Sequence, residues 1–300
     1  MRTLCVGEAI VDLICQRPVA SLSEADSFMP YAGGVTANVA VAAARAGADI
    51  VLAGGAGDDR WGAWLRDRLA AEGLDLRWFA LAGGPATALA FITVDGAGEP
   101  TYELYGEGTA AMLQALDGQL LDAVDAADAL FFTSNTLTTK DAAQITTAAR
   151  ERALALGHPI VFDASLRLGR WGDNPGRAGA AAGACVPGAF LVKCNEVVAR
   201  LMTGESEPEA AAASLLAAGA QHAIVTLGRR GAILRAKGMR FNIGGQPARV
   251  RSTVGAGDVF LGVLLAHLGI TDYYPAALAA ALPQAAAQAA LACERWGALD

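Results

Sequence analysis

Histidine is scarce in this chain: His158, His222 and His267 are the only three among 300 residues, and none has a second histidine at ligand spacing. That excludes chemistry built on histidine, whether a metal centre or a Ser-His-Asp triad. Cysteine is also sparse. Cys5, Cys15, Cys185, Cys194 and Cys293 are odd in number, scattered and without a C-x-x-C spacing, which excludes a disulfide framework and fits a reducing, cytoplasmic compartment. Only 18% of residues are charged, and 30 acids outnumber 23 bases for a net charge of −7. A surface of that sign repels nucleic-acid backbones and anionic membranes, so neither is an expected partner. A small phosphorylated ligand stays permitted, because backbone N–H groups bind phosphate without net positive charge. Long apolar runs are missing too. Glu8 and Asp12 interrupt the N-terminal run before a signal-peptide core could form. The longest uncharged stretch, residues 273–293, is mostly alanine with Pro275, Pro283, Gln284 and Gln288, and it reads as packed helix rather than a membrane span.

What is present is apolar side chain, 54% of the sequence, enough for a large core in one domain or two. Short β-rich runs at 4–11, 50–53, 129–133, 160–162, 190–192 and 223–227 alternate with helical stretches at 35–46, 61–72, 141–156, 196–202, 209–218 and 256–267. Apolar strands alternating with helices predict an α/β fold with a parallel sheet covered on both faces. Two segments break the rhythm. Residues 13–31 are too short for a strand–helix–strand unit, and residues 88–94 and 101–105 read as strands joined by the turn Asp95-Gly96-Ala97-Gly98-Glu99-Pro100. The expectation is one unit over residues 1–300: a core of 1–12, 32–85 and 107–300, and a small β lid of 13–31 and 86–106.

The strongest local signal is Arg251-Ser252-Thr253-Val254-Gly255-Ala256-Gly257-Asp258, followed by a helical run. The glycines let the main chain turn tightly, and the amides of Gly255, Ala256 and Gly257 at a helix N-terminus make a phosphate seat. Asp258 would then stand beside a bound phosphate as an ionised carboxylate. That placement suits a base that takes the proton of an attacking hydroxyl. A glycine turn with an acidic helix start is the alternative, and spacing alone leaves both open. Upstream, Gly33 and Gly34 precede a helix carrying Asn38 one turn in, so a ligand could approach the main chain there; a plain loop with a surface Asn is equally compatible. Asp12 is expected to end the first core strand, where ligands bind in α/β sheets, or to be a turn residue. Trp61 and Trp64 read as packing, Arg229 and Arg230 as a solvated turn.

These segments occur in an order that resembles the ribokinase-like, or PfkB, family of carbohydrate kinases, fructokinases above all. The matching pieces are Gly7-Glu8-Ala9-Ile10-Val11-Asp12, the run from Gly33-Gly34 through Asn38 to Gly57-Asp58-Asp59, Thr87-Ala88-Leu89-Ala90-Phe91, Asp163-Ala164-Ser165-Leu166-Arg167, Thr203-Gly204, Val225-Thr226-Leu227-Gly228 with Gly231, Gly255-Ala256-Gly257-Asp258, and Arg295-Trp296-Gly297-Ala298. The resemblance implies a three-layer αβα core, a β lid that can clasp a second copy into a homodimer, and ATP-dependent phosphorylation of a sugar hydroxyl. It implies Asp258 as catalytic base, Gly255, Ala256 and Gly257 as anion hole, and Asp12, Gly33, Gly34, Asn38, Phe91 and Arg167 at the sugar. Lys193, Asn195, Thr226, Gly228 and Gly231 are implied at ATP.

The chain departs from the family pattern in three places. Ser252 stands where many members have Asp, which puts a potassium site in question. The N-x-x-E motif tied to magnesium begins at Asn195 but reaches Val198; Glu196 is the nearby candidate ligand, and Mg²⁺ is expected to arrive with ATP. Glu107 and Gly106 stand where relatives acting on fructose or 2-keto-3-deoxygluconate often carry a basic residue after the lid aromatic. The expectation is a fructose kinase; the alternatives are a kinase of 2-keto-3-deoxygluconate, ribose or a nucleoside, and, in another class, a non-catalytic sugar-binding regulatory protein.

Overall fold

A computed structural model describes residues 1–106, 108–116, 118–172 and 174–300, with 108–111 described by backbone alone. Glu107, which the sequence singled out for substrate choice, lies outside the described residues. The strands are β1 (Thr3–Val6), β2 (Ile10–Pro18), β3 (Met29–Gly33), β4 (Ile50–Gly57), β5 (Asp75–Ala82), β6 (Leu89–Val94), β7 (Pro100–Tyr105), β8 (Ala129–Thr133), β9 (Ile160–Asp163), β10 (Leu191–Asn195), β11 (His222–Thr226), β12 (Ala232–Ala236) and β13 (Met239–Ile243). Nine of them form one sheet in the order β13-β12-β11-β10-β9-β8-β1-β4-β5, parallel from β5 through β11 and closed by the antiparallel pair β12 and β13. Strands such as β8 (ALFFT) and β9 (IVFD) are buried at every position, as a sheet covered on both faces requires. Two buried apolar clusters lie on its two sides, one with Phe131, Leu52 and Leu264, the other with Phe132, Phe162 and Leu130. The three-layer reading therefore holds.

The second sheet, β3-β2-β6-β7, is the lid. It differs from the expected boundaries at its start. The apolar run 4–11 is two strands, because the chain leaves the core sheet at Gly7 (φ 151°), where Thr36 leaves no room for a side chain. Asp12 consequently does not end a core strand; it sits within lid strand β2, opposite Tyr31 of β3 and Ala90 of β6. Strands β5, β12 and β13 were absent from the sequence expectation.

Helix ends follow their capping chemistry. Asp59 accepts from the Gly62 N–H at 2.8 Å to start helix Arg60–Ala71, and Thr139 starts helix Lys140–Leu156, which Gly157 ends in the left-handed region. The helix Ala256–Ile270 packs on both Val35–Arg45 and Ala276–Ala292. Gly262 permits the first contact, since a Cβ there would lie 2.8 Å from the Val39 carbonyl. Two helix N-termini far apart in sequence are thereby held side by side, and Asn38 and Asp258 with them.

Candidate active site

The helix Ala256–Ile270 begins at Gly255, whose φ of 73° starts the first turn without a side-chain cap; the Ala256 N–H donates to the Thr253 carbonyl at 3.3 Å. A Cβ on Gly255 would overlap Ala298, so the C-terminal Gly297-Ala298 segment buttresses the turn from behind. Asp258 follows in the first helical turn and is 8% exposed. Asn38 Nδ2 donates to Asp258 Oδ2 at 2.8 Å, while Asn38 Oδ1 is buried without a partner. Burial raises the Asp258 carboxyl to about 6 against the pull of Lys193 and the Asn38 hydrogen bond. A carboxyl with that value is mostly ionised at neutral pH, as a general base must be.

A narrow cleft runs from Asp258 to the lid, lined among others by Glu8, Asp12, Asn38, Tyr102, Arg167 and Val254. Burial raises the Asp12 carboxyl to about 7; Arg167 opposes the shift, and Asp258 and Glu8 add to it. Gly33 is needed beneath it, because any Cβ there would overlap the Asp12 carboxylate. Arg167 lies with Cζ 3.9 Å from the centre of the Tyr102 ring, a cation–π contact that holds the guanidinium at the cleft wall. A Gly33→Ala variant is expected to fold with the Asp12 carboxyl displaced; at about 1.5–3 kcal/mol for a bond to a charged group, KM for any ligand held by Asp12 would rise roughly 10–100-fold in steady-state kinetics.

On the other side of Asp258, Lys193 of β10 donates to Asp163 Oδ2 of β9 at 2.9 Å, both groups buried. A Cβ on Gly257 would come within 3.2 Å of Lys193 Nζ, so the ammonium abuts the first turn of helix Ala256–Ile270. Burial pulls its pKa down, but Asp163 and Asp258 outweigh that and hold it above the usual lysine value. Asn195 and Thr226 are paired in register at the ends of β10 and β11, on the same sheet edge as Lys193. Asn195 accepts from the Val198 N–H at 2.8 Å and caps helix Glu196–Thr203. Gly228 and Gly231 both have positive φ in the turn after β11.

The structure does not bring every expected residue to the cleft. Phe91 is corrected: strand alternation puts Ala90 and Ile92 on the lid's inner face, and Phe91 on the other, stacked edge-on with Phe28 and Tyr105 at 5.1 and 5.4 Å. Glu196 is ion-paired with Arg230 at the surface and gathers no second carboxylate. Among the described residues no group of three His, Cys, Asp or Glu could hold a metal ion.

Sequence reasoning assigned no role to Glu8 or Asn135. The Glu8 carboxylate accepts from the Val35 N–H, the Thr36 hydroxyl and Asn135 Nδ2 at 3.2, 3.3 and 2.7 Å. It thus supplies from another element the cap that Gly34 cannot give to helix Val35–Arg45. A buried acid within an otherwise apolar run was the available signal for Glu8; nothing local marks Asn135, whose Oδ1 is buried without a partner beside the cleft.

An αβα core with a small second sheet and a buried carboxylate in the first turn of a helix suits a small-molecule phosphotransferase. The chain belongs to the pfkB family of carbohydrate kinases, whose model matches residues 2–300. It is 30% identical over 263 residues to a fructokinase from Solanum tuberosum, covering 87% of this chain and 79% of that protein. Among solved structures it is similar to fructokinase from Vibrio cholerae O395, with TM-score 0.86, 26% identity and coverage of 99% and 94%. That protein was solved with fructose, ADP and calcium ion and, as a double mutant, with fructose, ADP and potassium ion. It is also similar to aminoimidazole riboside kinase from Salmonella enterica, solved with its riboside and an ATP analogue, with TM-score 0.81, 26% identity and coverage of 100% and 95%.

Proposed function

We propose that this carbohydrate kinase transfers the γ-phosphoryl group of ATP to a primary hydroxyl of D-fructose. The observation that carries the reading is Asp258, buried, held by Asn38 in the first turn of helix Ala256–Ile270 and lining the cleft that runs to the lid. The sugar lies under the lid with hydroxyls on Asp12, Asn38 and the Gly33-Gly34 main chain. As its hydroxyl oxygen attacks phosphorus, its proton passes to Asp258, the bond to the β-phosphate oxygen breaks and ADP leaves. The anion hole and Lys193 offset the charge on the phosphoryl oxygens. Asn195, Thr226, Gly228 and Gly231 line the path of the nucleotide along the sheet edge. The fit for magnesium is to the nucleotide's phosphates rather than to a protein cage, given the lone Asp258 and the engaged Glu196. A potassium site does not fit at Ser252, which is uncharged, fully buried and already accepting from the Val254 N–H at 3.1 Å. Turnover is expected to be equal with and without potassium.

The names of the similar proteins, together with a cleft whose two carboxyls are pushed toward neutrality, support a neutral sugar. Arg167 favours one second reading, an acidic keto sugar whose carboxylate meets the guanidinium. A coupled ADP-release assay over fructose, ribose, 2-keto-3-deoxygluconate and adenosine tests the choice: fastest release with fructose is expected, and release with 2-keto-3-deoxygluconate alone transfers the proposal to the acid. Binding of these compounds without ADP release on any would make the protein a sugar sensor.

Two further readings rest on the surface. The row Phe28, Phe91 and Tyr105, the last 52% exposed, lies on the lid's outer face, and a second copy covering it gives a homodimer. All five cysteines are unpaired, consistent with a reducing cytoplasmic setting; among the described residues no helix is long and apolar enough to cross a membrane.

A further inference from the structure

Acidic residues are missing from one long stretch of this otherwise acidic chain. Between Glu209 and Asp258 there is no Asp or Glu, while seven of the 23 bases fall there. The fold divides the seven into three groups. Arg235 is buried and bound to Glu209, to which Arg240 also pairs. Lys237 stands in the turn between β12 and β13, next to Ala236, which pairs with His222 at the start of β11. The other four gather at the opposite end of those strands. Arg229 and Arg230 belong to the turn that follows β11, just beyond Thr226, and Arg249 and Arg251 lie in the segment that leads from β13 to Gly255. The two segments touch: a Cβ on Gly245 would overlap the Arg229 carbonyl, and one on Gly231 would overlap the Ile243 carbonyl. Arg230 is paired with Glu196. Arg229, Arg249 and Arg251 are exposed and make no side-chain hydrogen bond or ion pair among the described residues. Two acids bond to the same segments, Glu294 accepting from the Arg249 N–H at 2.9 Å and Glu99 from the Thr253 hydroxyl at 3.3 Å, so the unpaired guanidiniums outnumber them.

We propose that Arg229, Arg249 and Arg251 form an electrostatic rim that steers the incoming nucleoside triphosphate to the sheet edge, setting its rate of arrival and leaving the transfer step alone. This rests on the reading of the edge at Asn195 and Thr226 as the nucleotide's path. Arg229 follows Thr226 by three residues and Arg251 precedes Gly255 by four, so the rim borders that path at both ends. An exposed guanidinium adds little to a phosphate already bound, because water screens the contact. Its field acts earlier, on a polyanion still in solution, and a rim of one sign can raise association rates by about 10–10³-fold at low ionic strength. In a chain of net charge −7 the need is concrete, since the rest of the surface repels the same ligand. The triphosphate carries more charge than the diphosphate that must leave, so the rim favours arrival of ATP over return of ADP. A neutral sugar feels none of this.

The test is stopped-flow association of a fluorescent ATP analogue, N-methylanthraniloyl-ATP, at ionic strengths from about 0.01 to about 1 M, over which the screening length falls from about 30 to about 3 Å. The variant Arg229→Gln/Arg249→Gln/Arg251→Gln is expected to bind the analogue roughly 10-fold more slowly than wild type at the low end. The ratio should approach one at the high end, and the dissociation rate should hardly move, as is usual for charges at a rim. Its kcat, and its kcat/KM for D-fructose at saturating ATP, are expected to match wild type. Lys237→Gln separates local field from net charge. Lys237 lies beyond the far end of β12, roughly 13 Å further along at about 3.3 Å per residue, so its loss should leave association at about 0.1 M unchanged, where the screening length is about 10 Å, while Arg251→Gln alone slows it. Equal association rates for wild type and the triple variant at low ionic strength overturn the proposal. So does a slowing that persists undiminished at high salt, which would mean direct contact with bound phosphate. Both outcomes leave ATP standing as phosphoryl donor. A wild-type chain that takes up no analogue removes the nucleotide reading itself, and the rim with it.

Discussion

Replacing Asp258 by Asn is expected to lower kcat by about 10²–10⁴-fold, the usual contribution of a positioned base. Nucleotide affinity should hardly change, because the seat is made of main-chain amides and Lys193. An equal loss of both would make Asp258 a structural residue, since removal of a group that acts only in the transition state lowers kcat without weakening ground-state binding. The pH dependence of the wild-type enzyme adds a sign. The Asp258 and Asp12 carboxyls sit at about 6 and about 7 in the folded chain, against an ordinary value of 3.8. In the proposed roles each acts as an anion, so kcat/KM is expected to rise with pH through the window from about 6 to about 7. Stability runs the other way. Between pH 4 and 7 or so the folded chain holds protons that the unfolded chain has released, so ΔG of unfolding falls as pH rises through that window. Asp258→Asn removes part of this penalty, and at pH 8 it is expected to melt no lower than wild type while being nearly inactive. A melting temperature well below wild type at that pH would contradict the assignment.

The largest loss of stability is expected from Lys193→Met. The pair Lys193–Asp163 is buried, and Asp163 already has its Oδ1 without a partner. Removing the ammonium leaves a fully buried carboxylate uncompensated, which costs about 3–5 kcal/mol out of a typical total of about 5–15 kcal/mol. At roughly 2–4 °C per kcal/mol for a chain of this size class, the melting temperature drops by roughly 10 °C. Adding Asp163→Asn should restore much of it, because an amide tolerates burial without a countercharge. Turnover is expected to stay low in the double variant, since Lys193 Nζ adjoins Gly257. Full recovery of both stability and turnover would show that the pair is structural only.

Much of this site could be read from the chain because its parts are local. The amide seat, Asp258 and the Gly33-Gly34-Asn38 group are each built within one helix start, and glycine followed by a polar residue is a short-range signal. The alternation of apolar runs with helices likewise gave the core sheet. What sequence left unread depends on parity and on long-range contact. The run 4–11 is apolar throughout, so nothing in its composition marks Gly7 as the point where the chain crosses to the lid, and Asp12 was therefore assigned to the wrong sheet. Phe91 was placed at the sugar by the family resemblance, but its face depends on the register of β6 against β2 and β7. Strand β5 mixes Asp75 and Arg77 with apolar residues, and β13 is an exposed edge, so neither resembles a buried strand. Glu8 and Asn135 meet across 127 positions, and only the order of β1 and β8 in the sheet brings them together.

The most direct test is a crystal of the chain with D-fructose and a non-hydrolysable ATP analogue. The terminal phosphate is expected against the amides of Gly255, Ala256 and Gly257, with a sugar hydroxyl within hydrogen-bond reach of Asp258. A terminal phosphate lodged away from that helix start, or an Asp258 carboxylate turned from both ligands, would contradict the account.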